Sequence, residues 1–185
     1  MSLQKQQDFL ARLFTDEGLR QNFLSAPKKI GAENNLSDTE IEDLRTVLPE
    51  QINFFAESLF WKRLREVEKL LPLTKEFLKN NFVELFRKFS QNFNPQTVKK
   101  HLEDALEFCR FLQKGDISEL PKNIAKFEQT KLEFFGCGKR FAFCKLTYDI
   151  KEISRQSTKV QSDFPRKKTI AIWLKIGKKT KYFSI

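Results

Sequence analysis

Two stretches near the C-terminal end decide the fold class, and they read Phe141-Ala142-Phe143-Cys144-Lys145-Leu146-Thr147-Tyr148 and Thr169-Ile170-Ala171-Ile172-Trp173-Leu174-Lys175-Ile176. The first stretch alternates its side chains with a period of two, which is typical of a strand. The second is β-branched and aromatic, and Gly177-Lys178-Lys179 separates it from Lys181–Ile185, which predicts a hairpin. Because a hairpin alone is marginal in water, we expect a three-stranded antiparallel sheet packed against the rest of the chain.

Before residue 136 the apolar residues recur at helical spacing. Ser37 and Glu40 form a capping box that predicts a helix start, and Pro49 opens a long amphipathic helix through about Leu71. The fold class is therefore α+β, with a mainly α-helical N-terminal body over residues 1–135 and a small C-terminal antiparallel β module over residues 136–185.

Several local signals add detail to this division. Thr15 and Thr74 are predicted helix caps, and Gly115 is predicted as a left-handed C-terminal cap. The polar stretch Ser154–Lys168, which contains Pro165, is predicted as an irregular connection between strands.

Composition excludes some classes of protein. The 185 residues, 40% of them hydrophobic, are enough for one core, or for one core and a small module. No stretch approaches the roughly 18 uncharged apolar residues of a membrane span, and the first residues resemble no export signal. Three cysteines are an odd number without such a signal, so we expect reduced thiols and a cytoplasmic location.

Motifs that carry chemistry are missing from the sequence. It contains no Gly-rich phosphate loop, no His-Glu-x-x-His and no Gly-x-Ser-x-Gly. His101 is the single histidine, and Glu103 and Asp104 only partly share its helix face, so a general-base role has little support. Cys137 and Cys144 with one histidine fall short of a structural zinc site. We therefore expect no enzyme activity, no cofactor and no metal.

The excess positive charge is confined to one part of the chain. Residues 1–135 contain 21 basic and 21 acidic side chains, whereas residues 136–185 contain 13 basic and 3 acidic ones, which accounts for the net charge of +10. A segregated charge of this kind indicates a surface that attracts an anionic partner, although it also serves solubility.

Basic residues interleaved with aromatic ones suit two kinds of ligand. Single-stranded nucleic acid would stack its bases on the rings and place its phosphates on the cations. An extended acidic peptide would add a strand to an exposed sheet edge, where the cations supply charge complementarity. A solvated basic surface with its aromatic residues in the core is the third interpretation. The sequence leaves these alternatives open.

A resemblance points to one of them. The segments Leu13–Leu36, Lys62–Thr74, His101–Phe108 and Leu120–Glu128 resemble a family of two-part bacterial proteins. They are also similar to the accessory subunits of multinuclear iron oxidative enzymes in peptide natural-product biosynthesis, such as the methanobactin accessory subunit. The resemblance implies that iron and chemistry belong to a partner enzyme, while this chain helps to hold a precursor peptide.

We therefore expect a non-catalytic accessory subunit that helps to present a precursor peptide to a modifying enzyme, with nucleic-acid binding through the basic module as the alternative. The expected peptide-binding residues are Arg140, Lys167, Lys168, Trp173, Lys175 and Tyr182. Lys62 and Arg63 are expected to lie on the face that docks the partner enzyme.

Overall fold

The computed structural model describes residues 3–46, 49–156 and 164–185, and it confirms the α+β class. Within these ranges the helices are α1 Leu3–Thr15, α2 Glu17–Ser25, α3 Pro27–Glu33, α4 Asp38–Thr46, α5 Pro49–Leu70, α6 Pro72–Leu78, α7 Asn80–Ser90, α8 Lys100–Lys114, α9 Glu119–Gly136 and α10 Ile150–Gln156. The strands are β1 Phe141–Leu146, β2 Thr169–Ile176 and β3 Lys179–Ser184.

The chain forms two compact units, one of Met1–Leu64 with Arg87–Asn94 and the other of Arg65–Phe86 with Pro95–Ile185. The sheet therefore belongs to the same unit as α8 and α9. The predicted division into a helical domain, residues 1–135, and a basic β-rich module, residues 136–185, stays a prediction.

The first unit has its own apolar core, built from α1 to α4 and the start of α5. Its best-defined helix start is the predicted capping box: the Ser37 N–H donates to the Glu40 carboxylate at 2.8 Å, and the Glu40 N–H donates to Ser37 Oγ at 3.3 Å. Further along, the Arg87 guanidinium donates to both carboxylate oxygens of Glu57 and lies 3.9 Å from the centre of the Phe60 ring.

The second unit packs helices against each other and against one face of the sheet. Phe82 and Phe86 both contact Phe108 edge-on, with ring centres 5.2 Å apart. The buried Glu128 of α9 accepts hydrogen bonds from the Leu73 and Thr74 N–H groups at 3.0 and 2.9 Å. It thereby supplies the side-chain cap that α6 lacks at its own N-terminus, and it ties α6 to α9.

The three strands form an antiparallel sheet in the order β1-β2-β3, as predicted. Its inner face packs in a buried cluster with Ile124 and Phe134 of α9. Gly177 has a φ of +58°, which a two-residue turn between Ile176 and Lys179 requires and which glycine adopts without strain.

Three local predictions are wrong in the structure, and a fourth is wrong in part. The N-cap of α2 is Asp16 and not Thr15, which ends α1, because the Asp16 carboxylate accepts the Leu19 N–H. Thr74 lies inside α6, where Glu128 caps the helix from a distance. Gly115 is extended, with φ −72° and ψ 168°, so it is not a left-handed cap. In the predicted connection, residues 154–156 instead complete α10, residues 164–168 are irregular as predicted, and residues 157–163 lie outside the described ranges.

Candidate functional site

The predicted peptide-binding residues do not converge on one site. Arg140 and Lys175 are neighbours at one end of the sheet, where the Lys175 N–H donates to the Arg140 carbonyl oxygen at 2.9 Å. Lys167 and Lys168 precede the opposite end of β2. Lys168 and Lys175 are seven positions apart along an extended chain, which corresponds to about 23 Å.

Trp173 is a core residue, which corrects its predicted role as contact surface. Its side chain is 3% exposed and packs against Phe127 of α9 and against Tyr182, its cross-strand partner, with ring centres 5.2 Å away in both cases. The register places Trp173 on the inner face of the sheet, and burial of the indole excludes it from any surface contact. Tyr182 retains 38% exposure, and partial burial raises the pKa of its phenol.

Lys167 is engaged within the chain. Its Nζ donates to Asp149 Oδ2 at 2.9 Å, and this hydrogen bond lowers the pKa of Asp149 and raises the pKa of Lys167. A carboxylate therefore already compensates the positive charge of Lys167. Arg140, Lys168 and Lys175 are exposed.

The β1 edge of the sheet borders a groove. Within the described residues β1 pairs only with β2. Because hydrogen-bonding directions alternate along an antiparallel ladder, the N–H and C=O groups of Phe141, Phe143 and Lys145 point away from β2. They face a groove of about 560 Å³ between β1 and the side chains of α8 and α9. An unpaired edge of this kind is a template for one more strand.

The charge of this groove is mainly positive. Lys126, Lys139 and Lys145 line it together with one carboxylate, Glu133. Burial would raise the pKa of Glu133, but hydrogen bonds from Lys139 at 2.5 Å and from Gln129 at 2.8 Å lower it on balance, so this carboxylate is ionised and paired. The groove is therefore suited to an anionic extended chain.

The outer face of the sheet is apolar, and the sequence interpretation missed it. Its central row consists of Phe143, Ile172 and Phe183, which are cross-strand neighbours. Phe143 and Phe183 are 53% and 45% exposed. The other apolar members of this face are Phe141, Ile170, Leu174, Ile176 and Ile185. We call these eight residues, with Lys145, Lys179 and Lys181, the open face.

A signal for the open face was present in the sequence. The side chains on both faces of β2 are apolar, since Ala171 and Trp173 on one face alternate with Ile172 and Leu174 on the other. Strands that are covered on both faces have near-continuous apolar runs, whereas a strand with one solvated face alternates apolar and polar residues. The continuous apolar sequence of β2 therefore predicts that both faces of the sheet are covered.

The two predicted docking residues lie on α5 in the first unit. Lys62 is exposed, whereas Arg63 is half-buried and donates from Nη2 to the Phe93 carbonyl oxygen at 3.0 Å. Exposed rings of the same helix belong to Phe54, Phe55 and Trp61. Arg63 is therefore partly committed to the fold of this unit.

Other candidate reactive groups are dispersed. His101 is half-buried on α8, while Glu103 accepts the N–H groups of Gln96 and Thr97. Burial raises the pKa of the Cys109 and Cys144 thiols, and Cys137 is exposed. Across the described ranges no three His, Cys, Asp or Glu side chains are grouped as metal ligands. No helix in this part of the chain is both long and apolar enough to cross a bilayer.

No protein-family model matches the chain, and no curated protein matches it either.

Proposed function

We propose that this chain is a non-catalytic accessory subunit that acts in the cytoplasm and helps to present an acidic precursor peptide to a modifying enzyme. The observation that carries the proposal is the outer β1 edge, which no described strand pairs with and which borders a basic groove. The resemblance noted in the sequence supplies the expectation that the partner enzyme contains iron.

Strand addition explains how such a peptide would be recognised. Backbone hydrogen bonds to Phe141, Phe143 and Lys145 would supply affinity without regard to sequence. Lys126 and Lys145 would then favour acidic side chains over basic ones, whereas Glu133 already pairs with Lys139. The expected peptide residues therefore change in part: Lys126 and Lys145 replace Lys167, whose charge Asp149 compensates, and Trp173, which is buried.

A titration of the full chain with a fluorescent, extended acidic peptide tests this proposal. We expect binding that weakens with salt, and a loss of about tenfold or more in Lys126→Glu, because that lysine lines the groove on α9. Lys131→Glu, an exposed lysine of the same helix outside the groove, is the matched control and should bind like the wild type.

Amide hydrogen exchange gives an independent measurement of the binding mode. Peptide binding should protect the amides of Phe141, Phe143 and Lys145, which point away from β2, and leave those of Ala142 and Cys144 little changed. Equal effects of the two lysine substitutions, or protection confined to other strands, would contradict strand addition at β1.

The competing candidate is nucleic-acid binding by the basic module. The observation in its favour is that Lys179 and Lys181 of β3 are exposed next to the Phe183 ring. It predicts affinity for single-stranded DNA or RNA that falls steeply with salt and needs no peptide. Filter binding with single-stranded and duplex oligonucleotides separates this candidate from the peptide-binding one.

A further inference from the structure

We infer that the open face is a second docking surface, which receives a single amphipathic helix of a partner protein with acidic residues flanking its apolar stripe. The inference is argued from the face of the sheet and not from its edge, although Phe141, Phe143 and Lys145 belong both to the open face and to the lining of the β1 groove. Its starting point is the exposure of apolar side chains on all three strands: Phe143 is 53% exposed, Ile176 55% and Phe183 45%.

The exposed residues form one contiguous patch and not scattered single contacts. The rows across the sheet are Phe141–Leu174–Lys181, Phe143–Ile172–Phe183 and Lys145–Ile170–Ile185. Contiguous apolar patches are rare on proteins that function alone, and they mark interaction sites. Aliphatic side chains along the whole of β2 show that this face suits a packed partner and not water.

The charges on the open face determine which partner fits. Every charged side chain on it is a lysine, none of the three strands contains Asp or Glu, and no carboxylate of the described residues pairs with Lys145, Lys179 or Lys181. A second copy of this chain would bring lysines against lysines if the two faces met, which is unfavourable. Acidic residues on the partner would instead complement the lysines.

The size of the face favours one helix over a second copy. Three strands of about six residues cover roughly 14 Å by 20 Å, or about 280 Å², whereas a stable protein–protein interface needs about 800 Å² from each partner. A single helix has a diameter of about 10 to 12 Å and spans 20 Å in about 13 residues. The open face is therefore matched to one helix of three to four turns.

The positions of the lysines predict where the acidic residues of that helix lie. Lys145 is at one corner of the face, and Lys181 is four residues along and two strands across, which gives a diagonal of about 16 Å. A helix rises about 1.5 Å per residue, so acidic residues about eleven positions apart would meet both lysines. Apolar residues at helical spacing between these acidic residues would contact the central row of the open face, Phe143, Ile172 and Phe183.

A nucleic acid fits the open face less well. Base stacking requires flat π surfaces, and the central strand offers Ile170, Ile172, Leu174 and Ile176, which have none. An apolar helix face makes use of these aliphatic side chains, as helix-in-groove recognition does in general.

The test uses two synthetic 15-residue helices with the same leucine stripe, one with glutamates eleven positions apart and one with lysines there. Fluorescence anisotropy with the full chain should show binding of the glutamate peptide and at least tenfold weaker binding of the lysine peptide. Phe183→Ser with Ile176→Ser should reduce binding of the glutamate peptide at least tenfold. Phe54→Ser with Phe135→Ser, which replaces exposed phenylalanines outside the open face, is the matched control and should change little.

A charge exchange keeps the test decisive if the serine variant folds poorly. Lys179→Glu with Lys181→Glu should weaken binding of the glutamate peptide and strengthen binding of the lysine peptide. Neither the serine variant nor the glutamate variant should alter the effect of Lys126→Glu on binding of the acidic peptide to the β1 groove. Failure of one proposal can therefore be told apart from failure of the other. Equal binding of both peptides, or no binding of either at millimolar concentration, would overturn the inference.

Three parallel measurements identify a different occupant, and a positive result in any of them without glutamate-peptide binding also overturns the inference. Sedimentation equilibrium reports self-association through the open face. Flotation with vesicles of anionic phospholipid reports a membrane surface. Titration with oligouridine reports a single-stranded nucleic acid.

Discussion

Glu128 is the residue whose substitution tests the architecture of the second unit most directly. It is 3% exposed, and its carboxylate accepts the backbone N–H groups of Leu73 and Thr74 at 3.0 and 2.9 Å. Pro72 has no N–H and Leu71 provides no side-chain cap, so this carboxylate from α9 satisfies the first free donors of α6.

The magnitude follows from the two donors. A buried N–H that loses its acceptor costs about 1 to 3 kcal/mol. Glu128→Ala removes the acceptor of both and leaves a small cavity, so we expect a loss of about 3 to 5 kcal/mol in the free energy of unfolding. Glu128→Gln retains one carbonyl acceptor, and a loss of about 1 to 3 kcal/mol is expected. Glu76→Ala, an exposed glutamate of α6, is the control and should stay within about 0.5 kcal/mol of the wild type.

The pH dependence has a definite sign. Burial raises the pKa of Glu128 above its ordinary value of 4.5, against the opposing hydrogen bonds from Thr74 and Leu73. The folded state therefore holds this proton more tightly than the unfolded state. The contribution of Glu128 to stability is then largest below pH 4.5 and declines as the pH rises through the raised folded pKa.

Urea denaturation followed by circular dichroism, repeated between about pH 4 and pH 8, measures both effects. As the pH rises, the free energy of unfolding of the wild type should fall relative to that of Glu128→Gln, because glutamine does not titrate. A difference that grows with pH would show that the helix cap outweighs burial. An alanine variant within 1 kcal/mol of the wild type would refute the capping role itself.

Three further predictions concern packing and thiol access. Gly31→Ala should destabilise the first unit by about 1 to 3 kcal/mol, because a Cβ there would lie 2.4 Å from Ile41 Cγ1. Gly18→Ala, where the nearest neighbour is 3.5 Å away, should be neutral or stabilising by up to about 1 kcal/mol, and thermal denaturation of both variants measures the contrast. Trp173→Ala should lower the free energy of unfolding, measured by urea denaturation, by about 3 to 5 kcal/mol, because the indole is part of the core. A loss below about 1 kcal/mol would contradict the burial of this side chain. A colourimetric thiol reagent should modify Cys137 alone in the folded protein and all three cysteines in denaturant. The reason is that Cys109 and Cys144 are buried and that burial raises the pKa of their thiols. Rapid modification of more than one cysteine in the folded protein would be inconsistent with this core.

Predictions from sequence succeeded where the cause is local. Ser37 and Glu40 are three residues apart, so one turn of chain brings their side chains to each other's backbone, and the capping box forms as expected. The alternation along β1 and the glycine at 177 likewise act within a few residues, and they predicted the strand and the turn.

Predictions failed where two local solutions compete or where the partner is distant in sequence. Thr15 and Asp16 can both cap α2, and the structure uses Asp16. The α6 cap comes from Glu128, which is more than 50 residues away in sequence, and no local sequence pattern predicts it. Lys167 was expected to attract a ligand, but the fold places Asp149 beside it.

The amino-acid sequence by itself determined the α+β class, the three-stranded sheet and the concentration of positive charge in the last 50 residues, because periodicity and composition are properties of the chain. Only the tertiary structure decided which face of that sheet is inside. Both faces of β2 are apolar, so the alternation cannot choose between them; packing of α9 against Trp173 makes that face the core. The phenylalanines of the opposite face are thereby left exposed beside lysines, and a candidate docking surface arises where the sequence had suggested only charge.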